Sequence, residues 1–485
     1  MARLLFLQLN DFELHGPQSI AAVAATRGHT VSLIIPSFER KPWPAIQAFQ
    51  PQVVGFSLST VERSEALEWA AAVKRRTGAL IVLGGVDPTF RPELVDHPAV
   101  DLVCRGEGEF AVAELLDALD RGEDYAGIPG FWAKRDGRRC ENAVRPLLED
   151  LDALPFPEKS LYLERYPHFR DYPIKFFLAG RGCPYGCTYC ANHGLRELYP
   201  NRNRYVRFKS PGYLLAEMRR ALARYPARLI GFNDDLFTFD EAWMADFLAG
   251  YRREVGLPFF CCGRVDTMTE GKARLLRESG CYTVWYGLES ANEATRRQVL
   301  NRKMSNETIR RGAAILKAQG LQTKSYNILN LPGEGLEDGL ATLRFNRELQ
   351  NDFVVASLFQ PFPGTELARK LAAEGRIKSL EEYASREKLS YFAFSPLEQP
   401  EQRELVNLQK LFLLGHWFPG LEGLIRRLVR LPPNPVFDII FLICFAVDFA
   451  RSHRLSLSEV ARYHLRHLRT TYLRRRSFDL ETRDG

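Results

Sequence analysis

The 485-residue chain lacks several features that would each assign it to a particular class of protein. Six of its nine cysteines are scattered without framework spacing, which argues against a disulfide scaffold and favours a reducing, cytoplasmic location. Its most apolar run, IIFLICFAV at 439–447, has nine residues, too few to span a bilayer, and predicts a buried helix. The first stretch, MARLLFLQLNDFELHG, has no small-residue cleavage site and predicts a buried strand instead of a secretory signal.

The composition is that of an ordinary globular protein, with 46% apolar and 26% charged residues. The net charge of +7 is a modest excess, and much of it lies between Arg451 and Arg476, where eight arginines face one acid, Glu459. A basic tail of this kind either solvates a surface or meets acidic groups of a ligand.

The order of β-rich and helical runs predicts an α/β protein with two sheets. Residues 1–144 alternate strands with helices, which predicts a doubly wound, Rossmann-like parallel sheet closed by a hairpin that turns at Asp136-Gly137. A proline-containing stretch at 145–169 reads as a linker. Six further strand–helix units at 170–375 predict an open, six-stranded (β/α)6 barrel, and residues 376–485 are predicted to be helical.

Three cysteines cluster in AGRGCPYGCTYCANH, where Cys183, Cys187 and Cys190 have the spacing C-x3-C-x2-C directly after the first barrel strand. With His193 they could form a Cys3His zinc site, and a single one could be a nucleophile. We favour a four-iron four-sulfur (4Fe-4S) cluster, because three thiolates leave one iron without a protein ligand and therefore open to a substrate.

This cysteine loop resembles the radical S-adenosylmethionine superfamily, in which the free iron binds S-adenosylmethionine and the reduced cluster cleaves it to a 5′-deoxyadenosyl radical. The resemblance covers about residues 170–375. It implies that S-adenosylmethionine contacts lie at the carboxyl ends of successive strands. The residues in those places are Tyr189, Asp234, Asp235, Arg264, Glu289, Pro332 and Gly333. Asp234 and Asp235 could equally begin a helix as N-cap residues.

The combination of this barrel with the N-terminal sheet resembles the cobalamin-binding radical S-adenosylmethionine enzymes. In that family the corrin lies against the carboxyl edge of the sheet, where glycines let the backbone approach a bulky ligand. The implied contacts are Gly55, Ser57, Ser59, Gly84, Gly85, Val86, Pro88 and Thr89. Asp11 and His15 do not form the D-x-H-x-x-G pattern of histidine-ligated cobalamin proteins, so we expect base-off cobalamin without a protein histidine ligand.

The resemblance implies a C-methyltransferase that acts on an unactivated carbon of a small or lipid-like molecule and receives electrons from a flavodoxin or ferredoxin. One alternative is a cobalamin-dependent oxidative cyclisation or rearrangement without methyl transfer. Another is RNA modification, which the absence of a second cysteine cluster disfavours, so that a nucleic-acid partner is not expected. A non-catalytic cobalamin sensor would leave the cysteine loop unexplained.

The C-terminal region matches no motif. The segment LLGHWFPGLEGLIRRLVRL at 413–431 mixes aromatic, apolar and basic residues, which is typical of a packing helix and also of a peripheral membrane contact.

Overall fold

Two parallel sheets organise the protein, as seen in a computed structural model that describes residues 1–39, 41–377, 392 and 394–463. The first sheet has seven strands in the order β2-β1-β3-β4-β5-β6-β7, and the second has six strands in the order β15-β14-β13-β12-β11-β8. The predicted α/β fold class is confirmed. The domain limits at residues 144, 169 and 375 stay predictions.

The first sheet is parallel through its first five strands and ends in the antiparallel pair β6 and β7. Its strands are β1 (Arg3–Leu7), β2 (Thr30–Ile34), β3 (Val53–Ser57), β4 (Leu80–Gly84), β5 (Leu102–Cys104), β6 (Phe131–Arg135) and β7 (Arg138–Glu141). Its helices are α1 (His15–Thr26), α2 (Pro42–Phe49), α3 (Arg63–Thr77), α4 (Val86–Phe90) and α5 (Glu109–Arg121). The hairpin turns at Asp136 and Gly137, both at positive φ, as the sequence predicts.

The second sheet is parallel throughout, and its strands lie side by side in chain order, which is the arrangement of an open barrel. Its strands are β8 (Ile174–Phe177), β11 (Leu229–Phe232), β12 (Phe259–Gly263), β13 (Cys281–Glu289), β14 (Gln322–Leu329) and β15 (Phe353–Leu358). A small antiparallel pair, β9 (Gly180–Arg181) and β10 (Arg207–Phe208), follows the first barrel strand.

Helices connect the barrel strands and cover the outside of the barrel. The helices from the first sheet to the end of the barrel are α6 (Ser160–Leu163), α7 (Pro167–Arg170), α8 (Ala191–Glu197), α9 (Pro211–Arg224), α10 (Glu241–Glu254), α11 (Glu270–Glu278), α12 (Asn306–Ala318), α13 (Leu336–Glu348) and α14 (Glu366–Ala373). Several begin at a polar N-cap: Ser210 accepts from the Tyr213 amide and Asp240 from the Trp243 amide. Cys261 and Cys281 are buried strand residues of this domain, as predicted.

The C-terminal region packs three helices against the last barrel strand: α15 (Gln402–Trp417), α16 (Glu422–Leu428) and α17 (Pro435–Ser452). The apolar run at 439–447 is helical, as predicted, but the predicted burial holds for one side of the helix alone. Ile439 is 55% exposed and Ile443 is 60% exposed, because only one side of α17 packs on the barrel. No helix among the described residues is long and apolar enough to cross a bilayer. The arginines beyond position 463 lie outside the described residues.

Candidate functional site: a cysteine loop between two sheets

The cysteine loop follows β9 at the carboxyl end of the barrel, and its start requires a glycine. Gly182 has φ +88°, and a Cβ there would collide with the backbone oxygen of Tyr205. Cys190 then precedes α8 as its N-cap residue. Burial raises the pKa of Cys190 to about 11, which favours the thiol over the thiolate at neutral pH. The loop therefore presents its thiols at a fixed, mostly enclosed place.

A buried polar cluster lies beside Cys187. The Tyr189 hydroxyl donates to the Glu289 carboxylate at 2.9 Å, and the Arg302 guanidinium lies 3.7 Å from the same carboxylate. Arg302 also donates to the Gly287 carbonyl at 2.6 Å and lies 4.0 Å from the Cys187 sulfur. Burial raises the pKa of Glu289, and the Arg302 charge opposes that shift. The structure thus brings Tyr189 and Glu289 together next to a cluster cysteine.

Arg302 was not found by sequence reasoning, because it sits in a loop after β13 with no motif around it. Its signal is structural: it joins the backbone of β13 to the cysteine loop. Glu289, in contrast, ends β13 at φ +67°, in the left-handed region, next to a shift in strand register. Such strain in a non-glycine residue is commonly stored at functional sites.

Arg264 ends β12 on the same side of the barrel. Its guanidinium binds both carboxylate oxygens of Asp266, at 3.0 and 2.6 Å, and lies 3.7 Å from the centre of the Tyr185 ring. Tyr185 belongs to the cysteine loop, so Arg264 contacts that loop as the sequence placement suggests. Asp266 and Tyr185 already use much of its binding capacity.

The two aspartates after β11 have different positions. Asp234 is 4% exposed and accepts from the amides of Ala179 and Gly180 at 3.2 and 2.6 Å, so it fixes the start of the cysteine loop. Contact of Asp234 with S-adenosylmethionine stays a prediction, because each oxygen of an ionised carboxylate can accept a second hydrogen bond. Asp235 accepts from Asn192 at 2.8 Å and lines the cavity described next.

The Pro332-Gly333 turn follows β14 and is held by the C-terminal region. Gly333 has φ +87°, and its amide donates to the Gln399 side chain at 3.2 Å. Gln399 also donates to the Leu331 and Glu334 carbonyls, at 3.0 and 3.1 Å. The turn is thus stabilised by a residue more than 60 positions later in the chain, which sequence reasoning did not find.

A cavity of about 640 Å³ separates the carboxyl edge of the first sheet from the cysteine loop. The predicted residues that line it are Gly55, Ser57, Gly84, Gly85, Val86 and Thr89. Gly182, Asn192 and Asp235 line its opposite side. We name this space the intersheet cavity. Its volume falls in the range of ligand pockets.

Two of the expected contacts on this edge do not line the intersheet cavity. The Ser59 hydroxyl is turned to the Glu62 carboxylate at 2.5 Å, where it caps a short helical turn. Pro88 is buried within α4. Direct ligand contact stays a prediction for both residues.

His15 also lines the intersheet cavity, at the start of α1. Its Nε2 atom is buried and has no hydrogen-bond partner within the described part of the chain. Burial, together with the charges of Lys159, Lys209 and Arg181, holds the pKa of His15 well below its usual value. The ring is therefore neutral and keeps a lone pair.

A buried ion network joins the two sheets at the rim of the intersheet cavity. Arg181, which precedes the cysteine loop, binds Glu107 at 3.0 Å and Glu109 at 2.6 Å. Arg207 of β10 binds the same Glu107 at 2.7 Å. Glu107 lies in the loop after β5 and Glu109 is the first residue of α5, so the network fixes the N-terminal sheet against the cysteine loop.

A second cavity of about 380 Å³ lies inside the open side of the barrel, under α17. Aromatic side chains form most of its wall, among them Phe176, Trp285, Phe445 and Phe449. Asn233, which follows β11, lines both this space and the intersheet cavity. We name this second space the aromatic cavity.

The residues present fit the cofactors that the sequence resemblance implies. Among the described residues no three His, Cys, Asp or Glu side chains gather round a single metal ion, but a 4Fe-4S cluster takes its three thiolates on three different irons. His193 faces Glu366 at 3.7 Å. At the sheet edge, Gly55 and Gly84 line the intersheet cavity, so a ligand there can approach the backbone closely.

Comparisons with known proteins agree with both halves of this site. The Radical SAM superfamily profile matches residues 177–345, and the B12 binding domain profile matches residues 10–116. An uncharacterized methyltransferase of Pyrococcus horikoshii is 29% identical over 330 residues, which are 66% of this chain and 70% of that protein.

A second relative is the anaerobic magnesium-protoporphyrin IX monomethyl ester cyclase of Synechocystis sp., 26% identical over 65% of this chain. The match covers 63% of the cyclase, less than two thirds of its length. Among solved structures, the cobalamin-dependent S-adenosylmethionine radical enzyme OxsB, with aqua-cobalamin and S-adenosylmethionine bound, matches with a TM-score of 0.67. At 16% identity, over 96% of this chain and 78% of OxsB, this likeness shows the shared fold.

Proposed function

Since the chain belongs to the radical SAM superfamily and carries a B12-binding domain, it is an enzyme, and we propose that it is a cobalamin-dependent radical SAM C-methyltransferase. The proposed substrate is a small, lipid-like molecule that is methylated on an unactivated carbon. One observation carries the proposal: the cysteine loop and the glycine-lined sheet edge are opposite walls of the same intersheet cavity. A methyl carrier and a radical source would therefore sit next to each other.

Cys183, Cys187 and Cys190 would hold the cluster, and the edge from Gly55 to Thr89 would hold the corrin. When bound, these groups supply a 5′-deoxyadenosyl radical and a transferable methyl group. The chain's own part is to bind and enclose them. Tyr189 and Glu289 offer hydrogen-bonding groups next to Cys187, and Asp235 offers a carboxylate beside the cysteine loop.

The cysteine assignment is tested by replacing Cys183, Cys187 and Cys190 together with alanine. The parent, reconstituted without oxygen, should bind about four irons and form 5′-deoxyadenosine from S-adenosylmethionine, and the triple variant should do neither. Cys262→Ala is the matched control, because Cys262 lies in β12 away from the loop and should keep its iron. Tightly bound zinc in place of iron would overturn the proposal and favour the Cys3His zinc site, in which His193 is the fourth ligand.

Methyl transfer is distinguished from its rival by product mass. A methyltransferase adds one methylene to the substrate, whereas an oxidative cyclase removes hydrogens. The cyclase is a second candidate because one relative carries that name. Loss of hydrogens without gain of carbon would favour it.

We also propose that the cobalt has no protein histidine ligand, as the missing D-x-H-x-x-G pattern suggests. His15 is the residue that could contradict this, because its Nε2 is unpaired and lines the intersheet cavity. Electron paramagnetic resonance of the cob(II)alamin form should show no nitrogen splitting, and His15→Ala should bind cobalamin about as well as the parent. A nitrogen triplet that disappears in His15→Ala would show the opposite.

Two contacts with other components complete the proposal. A flavodoxin or ferredoxin supplies the electron, because the cluster must be reduced before it acts.

The C-terminal region touches a membrane surface, which is supported by the exposed Val436, Ile439 and Ile443 on one side of α17. Sedimentation with anionic vesicles should therefore bring down the parent more than Ile439→Glu, and an equal fraction would exclude this contact.

A further inference from the structure

The aromatic cavity is built from segments far apart in the chain. Its wall comes from the loop after β1, the segment around α7 and β8, strand β13, and helix α17. The lining aromatic residues are Phe12, His168, Phe169, Tyr172, Phe176, Trp285, Phe392, Phe445, Phe449, His453 and Tyr463. A space that several separate segments surround with aromatic rings is more than a gap between two elements.

Ring-to-ring contacts hold this wall in place. Trp285 stacks on Phe260 with their centres 4.1 Å apart, and Phe449 stacks on His453 at 3.9 Å. His453 meets the Trp285 ring edge-on at 5.3 Å, which connects the helix to the barrel strand. Rings packed on one another in this way keep their faces oriented without a ligand.

The aromatic cavity is polar at one end and apolar at the other. Asn233 marks the end that it shares with the intersheet cavity. The acids on its rim are engaged: Asp11 accepts from Ser37 at 2.5 Å, and Glu13 pairs with Lys159 at 3.2 Å. Leu442, Phe445 and the other α17 side chains form the remainder, so a ligand would present its polar, reacting part to Asn233 and its hydrocarbon part to α17.

We propose that the aromatic cavity is the substrate site, and that it selects an apolar molecule whose hydrocarbon part carries rings or double bonds. That a substrate binds here rests on the proposed function, whereas the chemical class of the ligand is inferred from the lining of the aromatic cavity. Aromatic faces bind flat or unsaturated hydrocarbon well, and a wall with so few polar groups would leave a sugar or peptide unpaired.

Helix α17 provides a matched pair of test positions. Ala446 lines the aromatic cavity, whereas Ile443, three residues earlier, does not line it and is 60% exposed. Ala446→Phe would fill the cavity, whereas Ile443→Phe adds the same ring to the exterior of the same helix.

The test uses pyrene as a probe, in anaerobic equilibrium dialysis against the full chain loaded with iron, sulfide and cobalamin. The parent and Ile443→Phe should bind pyrene with affinities within about twofold of each other, and Ala446→Phe should bind about tenfold more weakly or worse. Absence of binding to the parent, or equal binding by all three proteins, would overturn the assignment. So would an equal loss in both variants, because the probe would then bind outside the cavity.

If Ala446→Phe does not load its cofactors, Phe445→Leu replaces it. That variant removes a ring face but keeps an apolar wall, so pyrene affinity should fall several-fold, and unchanged affinity would overturn the proposal. Iron, cobalamin and 5′-deoxyadenosine are measured on the same samples. Pyrene binding without formation of 5′-deoxyadenosine would contradict the proposed function and leave the assignment of the aromatic cavity standing. Formation of 5′-deoxyadenosine without pyrene binding would contradict the assignment of the aromatic cavity and leave the proposed function standing.

Discussion

At the scale of single residues, two neighbouring glycines at the end of β4 have different tasks. A Cβ at Gly84 would make only ordinary contacts, the shortest 3.6 Å from the Cys104 side chain, and Gly84 lines the intersheet cavity. Gly85 has φ +96° and ψ −169°, which is a backbone region open to glycine alone, and a Cβ there would lie 2.5 Å from the Leu58 carbonyl oxygen. The protein's own packing therefore tolerates alanine at position 84, whereas Gly85 is required by the backbone.

We expect Gly85→Ala to destabilise the N-terminal sheet by about 2 kcal/mol or more, because both the dihedral angle and the contact with Leu58 are unfavourable. Gly84→Ala should keep the thermal midpoint of the cobalamin-free protein and lower its affinity for cobalamin. Thermal unfolding and cobalamin titration of the two variants check this. A Gly84→Ala protein with unchanged cobalamin affinity would show that the ligand does not approach this glycine.

The sequence predicts some of these residues and misses others for a physical reason. The cysteines, Glu289 and the sheet-edge glycines lie at strand ends. The alternation of strands and helices in the sequence is therefore enough to predict where they lie. Arg302 and Gln399 act through contacts with chain segments far away in sequence, and local patterns carry no information about such contacts. Asp234 and Ser59 are a different case: both follow strand ends as the sequence predicts, and neighbouring groups in the protein also bind their oxygens.

At the scale of elements, strand β14 and helix α17 meet through buried polar groups. Lys324 is 4% exposed and donates to the Ser452 hydroxyl at 3.2 Å, and Asp448 is 2% exposed. Burial lowers the pKa of Lys324 to about 8 and raises the pKa of Asp448 to about 6, so for each group the loss of water outweighs the attraction of the opposite charge. Lys324 thus connects β14 to α17, and the burial of both charged groups costs stability.

The pH dependence follows from these directions. Between about pH 4 and 6 the folded protein keeps a proton on Asp448 that the unfolded chain has released, so stability falls as the pH rises through this window. Between about pH 8 and 10.5 the folded protein has lost the Lys324 proton that the unfolded chain retains, and stability rises again. Asp448→Asn should remove the first change, worth roughly 3 kcal/mol. Thermal midpoints measured from pH 4 to 8 test this, and a constant difference from the parent would refute it.

The element scale is also where sequence and structure differ about α17. Its continuous apolar run predicts burial on all sides, because a helix that is apolar all round is commonly buried. In the structure one side of the helix lines the aromatic cavity and another side is exposed. The pattern alone cannot separate contact with a protein core from contact with a hydrocarbon ligand or a membrane, since all three favour the same residues.

At the scale of the whole molecule, the orientation of the two sheets relative to each other depends on a few charged residues. Glu107 binds both Arg181 and Arg207, and its loss would leave two largely buried guanidinium groups with fewer partners. Burial opposes ionisation of Glu107, but these arginines hold the pKa of its carboxyl below the usual value. The network thus favours one orientation of the sheets, the one that forms the intersheet cavity.

Glu107→Ala should therefore lower the free energy of unfolding by about 3 kcal/mol and weaken cobalamin binding, since one wall of the cavity would no longer be fixed to the other. Glu141→Ala, which breaks an exposed pair with Arg139, is the control and should change the thermal midpoint little. Calorimetry and cobalamin titration measure both effects. An equal, small effect of the two substitutions would mean that other contacts fix the sheets.

The strand order of the barrel has a consequence for its synthesis. Because β8, β11, β12, β13, β14 and β15 lie side by side in chain order, each new strand can join the growing edge as soon as the ribosome releases it. The cysteine loop follows the first of these strands, whereas α17 is made after every strand of the barrel. A nascent chain can therefore form its cysteine loop well before α17 covers the aromatic cavity. A ribosome that stalls before Pro435 would leave Trp285 and Lys324 uncovered in the barrel.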